Sequence, residues 1–572
     1  MPVHNADIAR IFDEIADILE IEGENPFRIR AYRNAALNVR EYGRDLGSLV
    51  AADEDLTRLP GIGKDLAAKI EEIVTTGECA ALKRLHKRVP EAVTELLDIP
   101  GLGPKRVRAL YHELDIHSRE QLARACRTGA VRALSGFGAK TEQRILQALE
   151  AHTSETRRFK RAIAEQYADG LVAWLKRGPG VESVAVAGSY RRARETVGDL
   201  DILVTARDGA AVMAHFLEYD EIREAVSHGE TRSTVYLKSG IQVDLRVVEA
   251  AAFGAALHYF TGSKAHNIAV RRLGQREGLK INEYGVFRGK RRIAGRTEKE
   301  VYASVDLPWI PPELRENNGE IEAARQKALP KLVQREDLRG DLHCHTRASD
   351  GHNSIREMAE AAHAAGLEYL AITDHTQHLR VAHGLDSTRL LKQMEEIDAL
   401  NEKLKGITLL KGAEVDILDD GGLDLPDDLL ARLDVVIAAV HSNFNLPRAK
   451  QTRRILRALD NPRVHILAHP SGRLIGEREP MDLDIPRILR HARKVGVVME
   501  LNASPDRLDL TDVYCRVARD EGVRVAINSD AHSVDQFANL RFGIDQARRG
   551  WLESDDVVNT GRLKKLRAAL KR

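Results

Sequence analysis

The last 235 residues of this 572-residue chain alternate short apolar runs with helical stretches. From Leu338 onward the runs are YLAITDH, ITLLKGAEVDI, VVIAAVHS, VHILAHP, VGVVMELN and RVAINSDAH. A regular strand–helix alternation requires crossover connections, and such connections join parallel strands. We therefore predict a parallel β/α barrel over residues 338–572, with its chemistry at the carboxyl ends of the strands.

Histidine and carboxylate residues stand at or just beyond the ends of these runs. An HxH pair lies on one strand, whose alternation turns both imidazoles to the same face. Imidazole and carboxylate together suit Zn²⁺, Mn²⁺ or Fe²⁺. One such histidine is more often a packed core residue, but a set at successive strand ends predicts a metal centre. The candidate ligands are His343, His345, Asp350, His375, Glu414, His441, His469, Asp530 and His532.

A second set of acids lies in a β-rich segment in the middle of the chain. Asp199 and Asp201 alternate along one strand and share a face, and Asp244 lies on a later strand. Three carboxylates on one sheet face can hold two Mg²⁺ or Mn²⁺ ions ~3.5–4 Å apart. Such ions activate a hydroxyl and stabilise charge developing on a triphosphate. Ser189 and Arg192, just upstream, would then contact phosphate oxygens.

A short glycine motif recurs three times in the first 150 residues, which show helical periodicity. Each copy sets two glycines around one apolar residue and opens a helical pattern. The pairs are Gly61 and Gly63, Gly101 and Gly103, and Gly136 and Gly138. Glycine permits a close backbone approach, and a helix N-terminus offers N–H groups to a phosphate oxygen. One such turn is an ordinary helix connection, but three in a helical segment resemble the helix-hairpin-helix motif. That resemblance implies binding to the DNA backbone without sequence readout.

Basic residues are concentrated in two stretches although the net charge is only +1. From Gly101 to Arg161 there are 13 Lys/Arg against 6 Asp/Glu, and from Lys264 to Lys299 there are 11 against 3. A charge run alone is more often a solvated helix face. Two runs in a neutral chain favour two phosphate-facing surfaces.

Composition indicates a soluble protein of a reducing compartment. The chain has no apolar run near the ~20 residues of a membrane span. Its acidic, amphipathic N-terminus is unlike a secretory signal. The four cysteines are scattered without a CxxC pair. We expect a cytoplasmic protein without disulfides and without membrane contact.

The segment GSYRRARETVGDLDILVT resembles the nucleotidyltransferase palm of family X DNA polymerases, and YFTGSKAHN resembles that family's thumb-side nucleotide pocket. The resemblance implies that Tyr259, Phe260 and Gly262 pack against the sugar of the incoming nucleotide. It implies that Asn267 approaches the base edge and that Arg271 touches the template strand. The phosphates would be bound by Gly188, Ser189 and Arg192.

The same resemblance places Lys69 where the family's lyase nucleophile stands and Arg28 near a 5′-phosphate pocket. An amine with a lowered pKa beside an abasic sugar forms a Schiff base. A solvated lysine on a helix is an equally good interpretation from the sequence. Lys64 and Asp65 depart from the lyase pattern.

The nine strand-end ligands resemble those of the PHP (polymerase and histidinol phosphatase) domain, whose sites hold three metals that hydrolyse phosphoesters. The resemblance assigns His343, His345, Glu414 and Asp530 to one metal. A second would share Glu414 and add His441 and His469. The third would take Asp350, His375 and His532. All nine positions carry a residue that can bind metal.

The fold class is therefore multidomain, α+β and α/β. We predict a helical lyase-like domain with the first helix-hairpin-helix (1–85), a fingers-like helical domain with two more (86–153), a nucleotidyltransferase palm (154–250), a thumb (251–318), a linker (319–337) and a distorted TIM-like PHP barrel (338–572).

This organisation predicts a repair DNA polymerase that fills short gaps and carries a 3′–5′ exonuclease, with possible roles at abasic sites or 3′-phosphates. Its partners would be gapped or primed duplex DNA and dNTPs, and it would act as a monomer. Two alternatives remain. In one, the PHP domain is only structural or is a small-molecule phosphatase. In the other, the chain is a non-enzymatic DNA-end binding protein.

Overall fold

The computed structural model describes residues 3, 5–42, 46–59, 61–99, 101–151 and 158–571. The chain divides into two compact units. The first comprises Met1–Arg158, Asp220–Ile222 and Leu237–Gly240, and the second comprises the remainder. The predicted boundary at residues 153 and 154, and the prolines at 60 and 100 beside two glycine motifs, lie outside the described residues.

Helices form the first unit up to residue 151. Their bounds are α1 Asn5–Glu22, α2 Pro26–Glu41, α3 Leu46–Ala51, α4 Lys64–Thr76, α5 Ala80–His86, α6 Glu91–Thr94, α7 Pro104–Leu114, α8 Arg119–Thr128 and α9 Ala139–Ala151. Helix α1 packs along α2. Its apolar residues recur at helical spacing, and Phe12, Ile15 and Leu19 are fully buried in the core of this unit.

The middle of the chain forms a five-stranded sheet in the order β2-β4-β7-β6-β5. Strands β4 and β7 are parallel neighbours, whereas β2 and β6 pair with them antiparallel. A short β1–β3 pair accompanies the sheet. The elements are β1 Phe159–Lys160, α10 Arg161–Leu175, β2 Val181–Val186, α11 Gly188–Arg191, β3 Thr196–Val197, β4 Asp199–Ala206, α12 Gly209–Leu217, β5 Ile222–His228, β6 Arg232–Leu237 and β7 Gln242–Val248.

A smaller α+β region follows, with the three-stranded antiparallel sheet β10-β9-β8. Its elements are α13 Phe253–Thr261, α14 Lys264–Arg276, β8 Leu279–Asn282, β9 Gly285–Arg288, β10 Arg291–Ala294, α15 Glu298–Ala303 and α16 Glu320–Arg325. Residues 319–337, expected as a linker, contain α16. They also bury Ile321, Ala324 and Leu332 in one cluster with Trp551. The segment is packed because apolar residues recur along it at helical spacing.

The C-terminal region is the predicted parallel β/α barrel. Seven strands follow one another in sequence order, all parallel. A parallel bridge between Cys344 and Ala531 brings the first and last strands together. The strands are β11 Gly340–Asp341, β12 Tyr369–Ile372, β13 Thr408–Asp416, β14 Val435–Ala439, β15 Ile466–Leu467, β16 Val498–Asn502 and β17 Val525–Asn528. The helices are α17 Ile355–Ala364, α18 Ser387–Asn401, α19 Asp427–Leu430, α20 Arg448–Leu459, α21 Ile485–Val495, α22 Asp512–Asp520, α23 Leu540–Arg549 and α24 Leu563–Leu570.

Ion pairs join the five-stranded region to the barrel within the second unit. Arg473 lies just after the histidine that follows β15 and binds Glu195 with two hydrogen bonds, of 3.2 and 2.7 Å. Arg161 Nη1 lies 2.5 Å from Asp545 Oδ2. The first pair places the loop before β3 against the loop after β15, and the second places the start of α10 against α23. No helix in the described part of the chain is apolar over the length that a bilayer crossing requires.

A buried carboxylate ties the sheet region to the region after it. Glu298 accepts two hydrogen bonds of 2.8 Å from Arg191, one of 2.6 Å from Arg315 and one of 2.9 Å from Trp309 Nε1. Burial opposes the charged form of Glu298. The hydrogen bonds and charges of Arg191 and Arg315 outweigh burial and hold its pKa well below its ordinary value.

Replacing this carboxylate by an amide should destabilise the chain in a pH-dependent way. A depressed folded-state pKa adds stability above the unfolded value of about 4.3, and that stability is lost as the pH falls. We expect Glu298→Gln to cost about 3–5 kcal/mol near pH 7, because it strands two guanidinium groups. The cost should shrink towards acid pH. Urea unfolding followed by tryptophan fluorescence measures both effects.

The exposed Glu277 supplies the matched control. We expect Glu277→Gln to stay within about 0.5 kcal/mol of wild type at every pH. A Glu298→Gln protein as stable as this control would show that the buried network contributes nothing.

Candidate active sites

The three middle-chain acids lie on adjacent parallel strands. In the register of β4 and β7, Asp201 pairs with Asp244 and Asp199 pairs with Gln242. Asp244 accepts hydrogen bonds from Thr234 Oγ1 at 2.6 Å and from Gln242 Nε2 at 2.8 Å. Burial, followed by the charges of Asp199 and Asp244, raises the pKa of Asp201 to about 7. Three carboxylates on two adjacent strands concentrate negative charge at this face, which fits a divalent metal.

The turn before β4 is built tightly around these acids. Gly188 begins α11 with φ +62°, and a Cβ at this position would lie 2.4 Å from Asp201 Oδ2. The position therefore requires glycine, because a side chain would collide with the carboxylate. Ser189 is half-buried in the same short helix.

Arg192 lies beside the loop that follows α13. Its Nη1 donates to Thr261 O at 2.5 Å, and its Nε donates to Glu316 Oε1 at 3.1 Å. A Cβ on Gly262, which has φ +70°, would lie 3.2 Å from Arg192 Nη1. The structure thus brings Arg192 and Gly262 together. Arg549 of α23 also binds Glu316, at 3.0 Å.

The remaining predicted nucleotide-binding residues surround this loop. Tyr259 and Phe260 end α13, and Arg246 lies over the Phe260 ring at 4.3 Å. Asn267, on α14, donates to Tyr259 O at 2.6 Å, and its Oδ1 is buried without a hydrogen-bond partner. Arg271 is exposed on the same helix.

The three glycine motifs share one geometry. The first glycine has φ +66°, +90° and +82° at positions 61, 101 and 136. The residue between the glycines is buried in each case, as Ile62, Leu102 and Phe137. The second glycine directly precedes α4, α7 or α9, and a Cβ there would meet no atom within 4 Å. Each motif therefore presents a helix N-terminus with open space before it, as phosphate binding requires.

Lys69 lies near an acid of its own helix, and Arg28 lies near an acid just before its helix. Lys69 Nζ is 2.5 Å from Asp65 Oδ1, one of the two positions that depart from the lyase pattern. Arg28 Nη1 is 3.9 Å from Glu24 Oε2. The ammonium of Lys69 is thus neutralised by a carboxylate one helical turn earlier.

In the barrel, the candidate ligands converge on Glu414, which lies near the end of β13 and is 1% exposed. Its Oε2 is 2.8 Å from His375 Nδ1 and 3.5 Å from His343 Nε2. Its Oε1 is 2.9 Å from His469 Nε2 and 3.3 Å from His441 Nε2. One carboxylate with imidazoles on both oxygens has the arrangement of a bridging ligand.

Ligand atoms within 4.8 Å of one another form three groups among the described residues, all in the barrel. The grouping differs from the expected assignment, because His345 lies with the expected third-metal ligands and His375 lies with Glu414 and His441. His469 contacts Glu414 outside these groups. The acids of the five-stranded sheet are not among the groups. The three sets are His345, Asp350, His375 and His532; His343, His345 and Asp530; and His375, Glu414 and His441.

The donor set of the barrel fits divalent cations. Buried atoms without hydrogen-bond partners include His343 Nε2, His345 Nδ1, His375 Nδ1 and Glu414 Oε2. Burial opposes charge on His375, but Glu414 and Asp350 outweigh it and raise its pKa to about 10. A site that holds protons this firmly on imidazole carries an excess of buried negative charge. Metal cations would take the place of those protons.

Two acids in contact with the ligands escaped the sequence analysis. His343 Nδ1 lies 2.7 Å from Glu500 Oε1, and His441 Nδ1 lies 2.6 Å from Asp416 Oδ1. Each carboxylate fixes the imidazole so that its Nε2 faces the cluster. Their signal was an acid within or at the end of an apolar, buried strand, where a carboxylate is costly unless it has a partner.

Known families match five segments that together cover most of the chain. Residues 3–79 match the Helix-hairpin-helix domain and residues 93–151 the SAM-like Helix-hairpin-helix tandem. Residues 163–240 match the DNA polymerase beta palm, residues 256–316 the DNA polymerase beta thumb and residues 341–502 the PHP domain. The order of these matches is the order predicted from the sequence.

Three curated relatives share different parts of the chain. It is 41% identical over 575 residues to the "DNA polymerase/3'-5' exonuclease PolX" of Bacillus subtilis (strain 168), with all of both chains covered. The "DNA polymerase lambda" of Arabidopsis thaliana is 26% identical over 55% of this chain and 62% of its own length. A "Probable phosphatase" of Acetivibrio thermocellus is 34% identical over 34% of this chain and 78% of its own length.

A single methyl group added at a glycine motif should weaken DNA binding. Gly103 has φ −93° and open space around its Cβ position, so Gly103→Ala leaves the fold intact. A methyl there blocks the approach of a phosphate to the N-terminus of α7. Loss of one such charge-assisted hydrogen bond should weaken DNA affinity about tenfold, equally for unrelated sequences. Fluorescence anisotropy with two labelled duplexes measures the change.

Gly229 provides the control, because it is exposed and its Cβ would meet only Arg232 O, at 3.6 Å. Gly229→Ala should bind DNA as wild type does. Wild-type affinity in Gly103→Ala would contradict a phosphate contact at this turn.

Substitution of Glu414 should remove more bound metal than substitution of a ligand at the edge of the cluster. We expect Glu414→Gln to lose more bound divalent metal than Asp350→Asn, because the Glu414 carboxylate contacts imidazoles on both of its oxygens. Elemental analysis of the purified, dialysed proteins measures the metal content. Equal losses in the two variants would argue against a bridging role.

Proposed function

The chain belongs to the family of bacterial family X DNA polymerases with a C-terminal PHP domain, and from that premise we propose that it is a repair polymerase whose barrel removes 3′-terminal nucleotides. The observation that carries this proposal is the presence of two separate acid clusters in one chain. One lies on a polymerase-type sheet and the other at the mouth of a PHP barrel.

For the polymerase, we propose that Asp199, Asp201 and Asp244 hold two Mg²⁺ or Mn²⁺ ions. Such ions, when bound, activate the primer 3′-hydroxyl and stabilise the charge on the leaving pyrophosphate. Ser189 and Arg192 bind phosphate oxygens beside the Gly188 turn. A side chain at Gly188 would collide with the Asp201 carboxylate.

The nucleotide's sugar and base are proposed to lie against the loop after α13. Tyr259, Phe260 and Gly262 pack on the sugar. Asn267 is held by its hydrogen bond to Tyr259 O and approaches the base edge, while exposed Arg271 reaches the template strand.

For the exonuclease, we propose that the nine strand-end ligands hold up to three Zn²⁺, Mn²⁺ or Fe²⁺ ions. These metals would polarise the phosphorus and supply a hydroxide at neutral pH. Glu500 and Asp416 orient His343 and His441 and fix their tautomers.

Other features of the proposal concern substrates and surroundings. The glycine motifs bind the backbone of gapped or primed duplex DNA, and dNTPs are the co-substrates. The protein acts as a monomer in the cytoplasm. Lyase activity at Lys69 requires that its ion pair with Asp65 be broken, so we assign Lys69 no catalytic step.

A second candidate for the barrel is a phosphatase of small phosphomonoesters. The relative in Acetivibrio thermocellus named a probable phosphatase favours it, since its alignment of 202 residues is close to the length of the barrel. Hydrolysis of p-nitrophenyl phosphate, compared with degradation of 3′-labelled DNA, separates the two candidates.

Single substitutions should separate the two activities. We expect Asp201→Asn to lower primer extension on gapped DNA by ~10²-fold or more while 3′-end degradation continues, because a missing metal ligand disables only its own site. His343→Ala should give the opposite result. Extension with dNTPs and degradation without them, on one gapped and 3′-labelled duplex, measure both rates.

Undiminished degradation by His343→Ala would place the nuclease outside the barrel. Extension by Asp201→Asn at the wild-type rate would refute the assignment of the sheet acids.

A further inference from the structure

A cleft of about 500 Å³ lies between α20 and α21 on the outer wall of the barrel. Helix α20 contributes Arg453, Leu456, Arg457 and Asp460 to its walls. Helix α21 contributes Arg487, Arg490, His491 and Lys494. Five permanently cationic side chains therefore face one another across a space that holds a single carboxylate.

Three of these cations lack an acidic partner. Arg457 binds Asp420 at 3.3 Å, Arg490 lies 3.7 Å from Glu521, and Asp460 is taken by His491 at 2.8 Å. Arg453, Arg487 and Lys494 are exposed and have no carboxylate within ion-pair distance in the described chain. Like charges crowded in this way repel one another, and a polyanion in the cleft would relieve the repulsion.

The inward-facing residues of the same helices connect the cleft to the metal cluster. Helix α20 follows β14 and its His441 after a short loop, and Arg454 holds that loop by donating to Ser442 O at 2.8 Å. Helix α21 follows β15 and its His469, and the amide of Asp484, just before α21, donates to Thr452 Oγ1 on α20 at 3.0 Å. In a β/α barrel, helices begin at the end where the strands finish. The cleft therefore runs along the barrel wall, with Arg453 and Arg487 nearer the metal end and Arg457 and Lys494 nearer the opposite end.

We propose that this cleft binds the phosphodiester backbone of a DNA single strand whose 3′ end occupies the metal cluster. The proposal rests on the exonuclease function assigned to the barrel, and it adds a strand-binding surface to that site. Packed helices have axes ~8–10 Å apart, so their side chains meet and leave a narrow surface groove. One extended strand can follow such a groove, whereas a duplex is too wide to enter it. The exposed Arg448 and Lys450, at the start of α20, extend the basic track towards the rim.

The first test replaces the three unpaired cations in the full-length protein by Arg453→Gln, Arg487→Gln and Lys494→Gln. We expect KM for a 3′ single-stranded oligonucleotide to rise about tenfold with kcat unchanged. The slope of log KM against log salt should fall by about 2, since each phosphate contact on a single strand contributes ~0.7. The p-nitrophenyl ester of thymidine 5′-phosphate is too short to reach the cleft and should be hydrolysed as by wild type.

A triple variant with the same change of charge provides the control. Lys403→Gln, Lys405→Gln and Arg432→Gln alter exposed residues elsewhere on the barrel. This protein should keep the wild-type KM and salt slope. An equal rise in KM for both triple variants would show a general electrostatic effect and overturn the proposal.

The second test does not depend on nuclease activity. Acetylation of Lys494 by acetic anhydride, read by mass spectrometry, should slow when a phosphorothioate oligothymidylate of about 20 nucleotides is added, whereas Lys403 should react as before. If Lys494 is protected in a protein that degrades no DNA, the proposed cleft is supported and the proposed exonuclease is refuted. Unchanged acetylation, or protection by a duplex as strong as by the single strand, would refute the proposed cleft.

Discussion

The rest of the C-terminal region depends on how the buried negative charge at the mouth of the barrel is compensated. Glu414 and Glu500 are buried among imidazoles, and no apolar packing offsets the loss of their hydration. Such a cluster persists only with positive charge inside it, as protons on histidine or as metal ions. The seven parallel strands are what bring these side chains together, because each strand delivers its ligand to the same end.

The five-stranded sheet also concentrates negative charge, but with fewer carboxylates. Its acids come from two adjacent strands, and Gly188 keeps the approach to Asp201 free of a side chain. The two acid clusters belong to one compact unit. The Glu195–Arg473 pair connects the loop before the sheet acids to the loop after His469. Each site keeps its own ligands, so their chemistries can be separated by mutation although their supporting loops touch.

Much of this organisation is legible in the sequence. The ligands of the barrel stand at strand ends, where type and position together reveal them, and the spacing of Asp199 and Asp201 reveals their shared face. The three glycine motifs are visible because only glycine supports φ near +80° at an exposed turn.

Other features could not be predicted from the sequence. Glu500 and Asp416 were missed because an acid in a buried strand shows its role only through the histidine that contacts it. The segment 319–337 was expected as a linker because it is rich in charge, although three of its apolar residues pack beside Trp551. The grouping of His345 and His375 depends on side-chain directions that spacing along the chain does not encode.

The most direct test of the account is where divalent metal binds. Crystals of the full-length protein grown with Mn²⁺, with data collected at the manganese absorption edge, would locate each ion by its anomalous signal. If Glu414 bridges two ions, anomalous peaks will lie within ~2.0–2.3 Å of Glu414 and the surrounding imidazole nitrogens. A map with no anomalous peak beside Glu414 would contradict the account.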